Sequence, residues 1–473
     1  MLINGHWLNA ARRFAVANPA TGELLGEVAD GGAAETVAAI DAAHAALPAW
    51  ASRSAFERAE ILQRAYALMV ERKGELARLL TQEQGKPLRA AAIETQYAAD
   101  FLSWFAEEAK RVYGDILPSP RADQRFLVRR QPVGVVGAIT PWNYPVSMLT
   151  RKLGPALAAG CTVVLKPAEA TPLIAIEVFK LLVEAGVPDG VINLVTTSDP
   201  RPVGEVLVGD PRVRKLTFTG STAVGKQLAA AAGAHMKRIS LELGGHAPFI
   251  VFPDADPVHA AKGAAAVKFL NMGQACISPN RFYVHRAQVE PFLAELTARV
   301  ERLVVGNGLE QGVGIGPLIN PAAIAKVDAQ VRDALARGAR CLTGGTRLTE
   351  GALAAGTFYA PTVLADVTPD MLIYREETFG PVAAVVPYDD GDDVIALAND
   401  TAYGLAAYVY TNDLRTALRS FEALDFGIVG INDINPTAAA APFGGIKDSG
   451  IGREGGREGI EEYLDVKLGG IAL

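Results

Sequence analysis

Cysteine is scarce in this chain: among 473 residues there are only Cys161, Cys276 and Cys341. An odd number of cysteines in a chain of this length excludes a secreted disulfide framework and is expected of a reduced, cytoplasmic protein. Histidine is also thin, with His6, His44, His235, His246, His259 and His285 scattered through the chain. No pair of them has metal-ligand spacing and no Cys-x-x-Cys occurs, so no metal site is expected. Long apolar runs are missing. The nearest approach, Leu153 to Leu165, is broken by Gly154, Pro155 and Gly160, whereas a membrane-spanning helix needs ~20 apolar residues. The beginning, Met1-Leu-Ile-Asn-Gly-His-Trp7, has no basic stretch followed by an apolar one, so a signal peptide is not expected. A large excess of one charge is absent too. Forty-five Lys and Arg stand against 52 Asp and Glu, a net charge of −7, which argues against nucleic acid or an anionic membrane as partner. Three short signatures are missing as well: G-x-G-x-x-G after a strand, the Walker A loop, and G-x-S-x-G.

What is present is the balance of an ordinary folded protein, 50% hydrophobic and 21% charged, long enough for two or three domains of ~100–200 residues. Helical spacing of apolar residues runs through Ala33–Ala49, Ser54–Lys73, Glu75–Gln84 and Ala91–Val112. From Pro132 the texture alternates. Strands are expected over Val133–Thr140, Cys161–Lys166, Val191–Val195, Val213–Thr219 and Lys237–Glu242. Helices are expected between them over Val146–Ala159, Pro172–Glu184, Val203–Val208 and Thr222–Ala232. Such alternation defines an α/β protein with a doubly wound, mostly parallel sheet. A second α/β unit follows, with strands Ala247–Phe252 and Arg281–His285 and helices Val258–Asn271, Val289–Val304 and Ala322–Arg337. Tyr113–Arg130 looks like a small β excursion to which the tail Tyr463–Ile471 adds a strand.

Ligands of doubly wound sheets sit at the carboxyl ends of the strands. That rule singles out Trp142 and Asn143, Lys166 to Glu169, Gly220 and Ser221, and Glu242. Free N–H groups at the helix start beyond Gly220 are able to face a phosphate, although an ordinary capped helix reads the same way. In Lys166-Pro167-Ala168-Glu169 a donor and an acceptor lie three residues apart, which suits a ribose diol; a solvated turn is the plain alternative. Cys276, in a loop with Gly273, is a candidate nucleophile where a base is near, and otherwise a buried inert thiol. Glu242 ends an apolar strand, where poor solvation raises a carboxyl toward general-base range, unless a salt bridge holds it. Asn143, in a turn between Pro141 and Pro145, offers an amide to an oxyanion, or is a turn residue ahead of a helix.

Together, Pro141-Trp-Asn-Tyr-Pro, Lys166-Pro-Ala-Glu, Phe218-Thr-Gly-Ser, Glu242-Leu-Gly-Gly, Gly273-Gln-Ala-Cys276, Glu376-Glu-Thr-Phe-Gly-Pro and Pro442-Phe-Gly-Gly resemble the NAD(P)-dependent aldehyde dehydrogenase superfamily. All seven fall in family order across nearly the whole chain. The resemblance implies a cofactor domain over 1–112 and 131–244, a catalytic domain over 245–445, and an oligomerisation arm over 113–130 and 446–473. It implies Cys276 as nucleophile, Glu242 as base for the deacylating water, Asn143 as oxyanion donor and Lys152 close by. It implies NAD, with NADP possible, held by Trp142, Lys166, Pro167, Ala168, Glu169, Gly220, Ser221, Gly225, Leu243, Glu377 and Phe379. A carboxylate at Glu169 favours NAD, because it repels a 2′-phosphate. A homodimer or homotetramer acting on a small aldehyde is the expected assembly.

The segments Thr150-Arg-Lys152, Tyr113-Gly-Asp-Ile and Phe443-Gly-Gly-Ile-Lys-Asp-Ser-Gly look most like the succinate-semialdehyde branch. By that resemblance Arg151 and Thr437 would face the distal carboxylate of the substrate. Leu270, however, stands where the branch has a second arginine. A pocket of Tyr144, Met148, Leu270, Ile277 and Phe443 leaves open a longer or less polar aldehyde. A CoA-acylating enzyme, or a non-catalytic protein on the same fold, are the remaining alternatives. Glu242 argues against the first, and Cys276, Glu242 and Asn143 together argue against the second.

Overall fold

The computed structural model describes all 473 residues. Its first sheet has eight strands, and the five strands expected from the sequence form its parallel interior. In space Ile192–Leu194 lies beside Thr162–Lys166, then Val135–Ile139, then Val213–Thr219, then Arg238–Glu242. The chain therefore winds outward from Val135–Ile139 in both directions. The reversal point lies between that strand and Val213–Thr219, where a crevice opens at the carboxyl ends. The helix Pro145–Ala159 crosses there. Proline at its first position needs no donor partner, and Gly160, with φ of 95°, ends it in the left-handed conformation. Every residue of that helix is buried.

The second sheet has seven strands. Ala247–Val251 and Pro279–His285 are joined by Thr362–Ala365, Val382–Tyr388, Ala406–Tyr410 and Ile428–Ile431, all parallel, with Arg340–Thr343 antiparallel at one edge. The five interior strands are buried on both faces, and their short apolar runs show no alternation. Separate hydrophobic cores sit around the two sheets.

A three-stranded antiparallel sheet of Asp115–Leu117, Gln124–Pro132 and Leu464–Ala472 stands apart from both. Of the stretch 446–473, only this last strand joins it. Gly450–Ile451 pairs instead with the end of Arg238–Glu242, and Ile460 and Tyr463 are buried in the first core. The helix expected over Val258–Asn271 is shorter, Pro257–Lys268. Asn271 and Met272 turn left-handed with φ of 49° and 57°, which starts the loop that carries Cys276. No helix is long and apolar enough to cross a membrane.

Candidate active site

Cys276 lies where two cavities meet and contributes to the lining of both. One is bounded by Trp142, Asn143, Leu243, Gly244, Glu377, Thr378 and Phe379. It continues past Gly220 and Ser221 into a groove lined by Lys166, Ala168 and Glu169. The other has a volume of about 180 Å³ and is lined by Tyr144, Met148, Arg151, Leu270, Ile277, Thr437 and Phe443, with Tyr97 and Lys86 among the rest. The residues named from the sequence for cofactor and for substrate thus fall on opposite sides of one thiol. Four of the residues named from the sequence do not line these spaces, the strand-end Glu242 among them. Pro167 is passed over by the groove, Gly225 packs against Leu243, and Lys152 sits behind the wall.

The loop bearing Cys276 is fixed by backbone contacts. Tyr408 Oη donates to Ile277 O at 2.9 Å, and the Cα of Gly245 lies so close to Cys276 O that a side chain there would collide. Asn143 Nδ2 donates to Gln274 O at 3.1 Å, tying the Asn143 turn to the same loop. Burial, reinforced by the Glu242 charge, pushes the Cys276 thiol up to about 12. Cys161 is buried and inert by packing, and Cys341 lies on the exposed far edge of the second sheet.

Glu242 ends its strand with both carboxylate oxygens buried and without a hydrogen-bond partner. Burial raises its carboxyl well above the ordinary range, and the charge of Glu454 raises it further. Glu454 itself accepts from Lys152 Nζ at 2.5 Å and lies 3.1 Å from Arg151 Nε. Burial pushes Glu454 up, but the charges of Lys152 and Arg151 outweigh it and hold the carboxyl below the usual range. Two buried carboxyls in one neighbourhood are thus driven apart, one raised and one lowered.

Arg151 is buried, with its guanidinium carbon 4.0 Å from the centre of the Phe443 ring. Its Nη2 has no partner, and neither has the buried hydroxyl of Tyr97 in the same cavity. Unpaired buried donors cost about 1–3 kcal/mol each, so this pocket is set to receive an acceptor. Thr437 Oγ1 donates to Asn435 Oδ1 at 3.1 Å, and both residues line the same cavity. On the groove side, Lys166 Nζ meets Glu169 Oε2 at 3.1 Å, with Glu169 half-exposed. Glu377 accepts from Gly245 N at 2.9 Å, and the Phe379 ring sits edge-on to Trp142. The buried hydroxyls of Thr219 and Thr378, which line the first cavity, are without partners.

Sequence reasoning did not find Glu454, Tyr97, Lys86 or Glu94. Lys86-Pro87 follows a glycine in a stretch readable only as a helix end, and Glu454 is one acidic residue in a glycine-rich tail. Nothing local marks either as buried.

A doubly wound sheet feeding a groove to a half-buried thiol, with a carboxyl at the neighbouring strand end, is the architecture of a dinucleotide-dependent oxidoreductase with a covalent cysteine. The chain belongs to the aldehyde dehydrogenase family, whose model matches residues 7–468. It is 53% identical to the succinate-semialdehyde dehydrogenase [NADP(+)] of Escherichia coli K12, an alignment covering 100% of this chain and 97% of the relative. It is 51% identical to the glutarate-semialdehyde dehydrogenase of Pseudomonas aeruginosa, with 99% and 97% covered. The crystal structure of an E. coli NADP-dependent enzyme superposes with a TM-score of 0.97 at 52% identity, over 100% of this chain and 98% of that one.

Proposed function

We propose that this protein oxidises an aldehyde carrying a distal carboxylate, of the succinate or glutarate semialdehyde class, to the corresponding dicarboxylic acid, with NAD(P) as hydride acceptor. The observation that carries the reading is the buried Arg151 guanidinium with an unpartnered Nη2, in the same cavity as Cys276. A guanidinium in a low-dielectric pocket favours an anionic substrate end. The named relatives act on semialdehydes.

The residues present fit a nicotinamide dinucleotide. The orphaned hydroxyls of Thr219 and Thr378 line the space between the groove and Cys276, and the start of the helix Thr222–Ala234 adjoins the groove at Ser221. Lys166 and Glu169 would hold the adenosine ribose, Gly220 and Ser221 the phosphates, and Glu377 the nicotinamide ribose, with Phe379 and Trp142 nearby.

Cys276 Sγ attacks the aldehyde carbon and its thiol proton is released to solvent. The Asn143 amide and the Cys276 backbone N–H hold the resulting oxyanion. A bound nicotinamide would supply the acceptor for the hydride of this adduct, and Cys276 would carry the acyl group as a thioester. Glu242, in its ionised form, takes a proton from water, which attacks the thioester and releases the acid and the thiol. Arg151, with Thr437 and the Tyr97 hydroxyl on the same cavity, holds the distal carboxylate. Leu270 makes part of the wall apolar and half-open, so the longer glutarate semialdehyde is favoured over the shorter succinate homologue.

The domain division proposed is a cofactor unit on the eight-stranded sheet, a catalytic unit on the seven-stranded sheet, and a β arm that joins copies of the chain into a homo-oligomer. Ile116, Val466 and Leu468 of the arm are 76%, 70% and 62% exposed, apolar surface that a partner copy would cover. A reducing, cytoplasmic location accords with three free thiols.

The test is NADH formation from a panel of aldehydes, with and without CoA. Semialdehyde oxidation indifferent to CoA is expected. Turnover that requires CoA would place the enzyme among acylating relatives instead.

A further inference from the structure

Two charged side chains with almost no exposure, Lys86 and Glu94, form an ion pair at the edge of the site. No step of the mechanism uses either. A buried ion pair is a poor source of stability, because desolvating both ions offsets their attraction. Its remaining bonds therefore show what it holds in place.

Lys86 Nζ donates to the backbone carbonyl of Asn143 at 2.8 Å and lies 3.9 Å from the centre of the Tyr144 ring. Glu94 Oε1 accepts from the backbone N–H groups of Val146 and Ser147, at 3.0 and 3.3 Å. These belong to the first turn of the helix Pro145–Ala159, whose capping position, Tyr144, makes no side-chain cap. The ion pair thus grips the Asn143 turn on both sides, by its carbonyl and by the helix start that follows. A third hold comes from Asn271, whose Nδ2 donates to the same Asn143 carbonyl at 2.9 Å and to Gln274 O at 3.1 Å. Gln274 O is also the acceptor for the Asn143 amide.

We propose that Lys86 and Glu94 are positioning residues for the oxyanion donor: they set the backbone of Asn143 so that its amide meets the oxygen developing on the substrate. The inference rests on the oxyanion role assigned to Asn143. Misplacing a reacting group by about 1 Å costs on the order of 10²-fold in rate, so a pair that fixes one turn has leverage on the chemical step through the backbone it holds.

A double-mutant cycle tests it, read as single-turnover NADH formation together with NAD affinity and thermal stability. The variants are Lys86→Met/Glu94→Gln, which leaves no buried charge unpaired, Asn143→Ala, and the combination. The charge-neutral pair should slow hydride formation by about tenfold to hundredfold and leave NAD affinity unchanged. In the Asn143→Ala background the same change should cost nothing further, because the group it positions is gone. Lys86→Gln, which keeps a donor for the Asn143 carbonyl, should retain most of the rate. Lys86→Met alone, which removes the donor to the Asn143 carbonyl, gives the same cycle if the paired variant does not fold. An equal loss in both backgrounds, or wild-type hydride formation in Lys86→Met/Glu94→Gln, would overturn the positioning role. Wild-type hydride formation in Asn143→Ala alone would instead overturn the oxyanion assignment beneath it.

Discussion

Arg151 and Glu454 form a buried contact, Nε to Oε2 at 3.1 Å, that leaves the outer nitrogen of the guanidinium without a partner. The arginine is thus charge-paired within the protein while it also lines the cavity of Cys276. Pairing with Glu454 keeps an otherwise costly buried cation in place and orients its free edge.

If that free edge holds the distal carboxylate, Arg151→Leu should raise KM for glutarate semialdehyde by roughly tenfold to hundredfold, the equivalent of ~1.5–3 kcal/mol for a hydrogen bond to a charged group. A neutral aldehyde of the same length should be affected far less. Leu270→Arg should act in the opposite sense and improve succinate semialdehyde by supplying a second guanidinium to the shorter chain. Equal losses for charged and neutral aldehydes in Arg151→Leu would reduce the residue to a structural partner of Glu454.

Glu242→Gln should still form the thioester and then stall. A burst of NADH would remain while steady turnover falls by ~10²–10⁴, the usual loss when a general base is removed. Because burial and Glu454 raise the carboxyl of Glu242, its base form is populated as pH rises. Wild-type turnover should therefore increase with pH through that ionisation, and the increase should vanish in the Gln variant. Undiminished steady turnover in Glu242→Gln would remove the residue from deacylation.

The Cys276 thiol, pushed up to about 12 by burial and by the Glu242 charge, is protonated across the neutral range. Only the thiolate alkylates. The rate of iodoacetamide labelling at Cys276 in the cofactor-free enzyme should accordingly climb with pH without levelling off below about pH 10. A plateau near neutrality would mean that the free enzyme already holds a thiolate.

Glu169 reaches Lys166 at 3.1 Å and stays half-exposed at the groove. Its charge opposes a 2′-phosphate, so kcat/KM for NAD should exceed that for NADP, and Glu169→Ser should narrow the difference. The E. coli relative is NADP-dependent by name, which makes this comparison informative. A wild-type preference for NADP would show that Glu169 does not govern the choice.

The parts of the fold legible in the sequence are those where local pattern and tertiary role coincide. The five interior strands of the first sheet are β-branched runs between amphipathic helices, and the polar residues that end them, among them Lys166 and Glu242, stand out against apolar neighbours. In the second sheet, Val382–Tyr388 and Ala406–Tyr410 are buried on both faces and carry no alternation, so their periodicity is silent. The Pro257–Lys268 helix stops short because Asn271 and Met272 adopt left-handed backbone, which composition does not announce. The hidden parts of the site are pairings across long separations. Lys86 meets the Asn143 turn, and Lys152 meets Glu454 near the other end of the chain. No short-range signal records such contacts.

The most direct measurement is kcat/KM of the wild-type enzyme with NAD for glutarate semialdehyde against pentanal, an unbranched neutral aldehyde of the same carbon count, with Cys276→Ala run alongside. The account predicts a preference for the semialdehyde of at least about tenfold, the low end of what a charged hydrogen bond contributes, and no turnover of either by Cys276→Ala. Equal or better use of pentanal, or appreciable turnover without the Cys276 thiol, would contradict it.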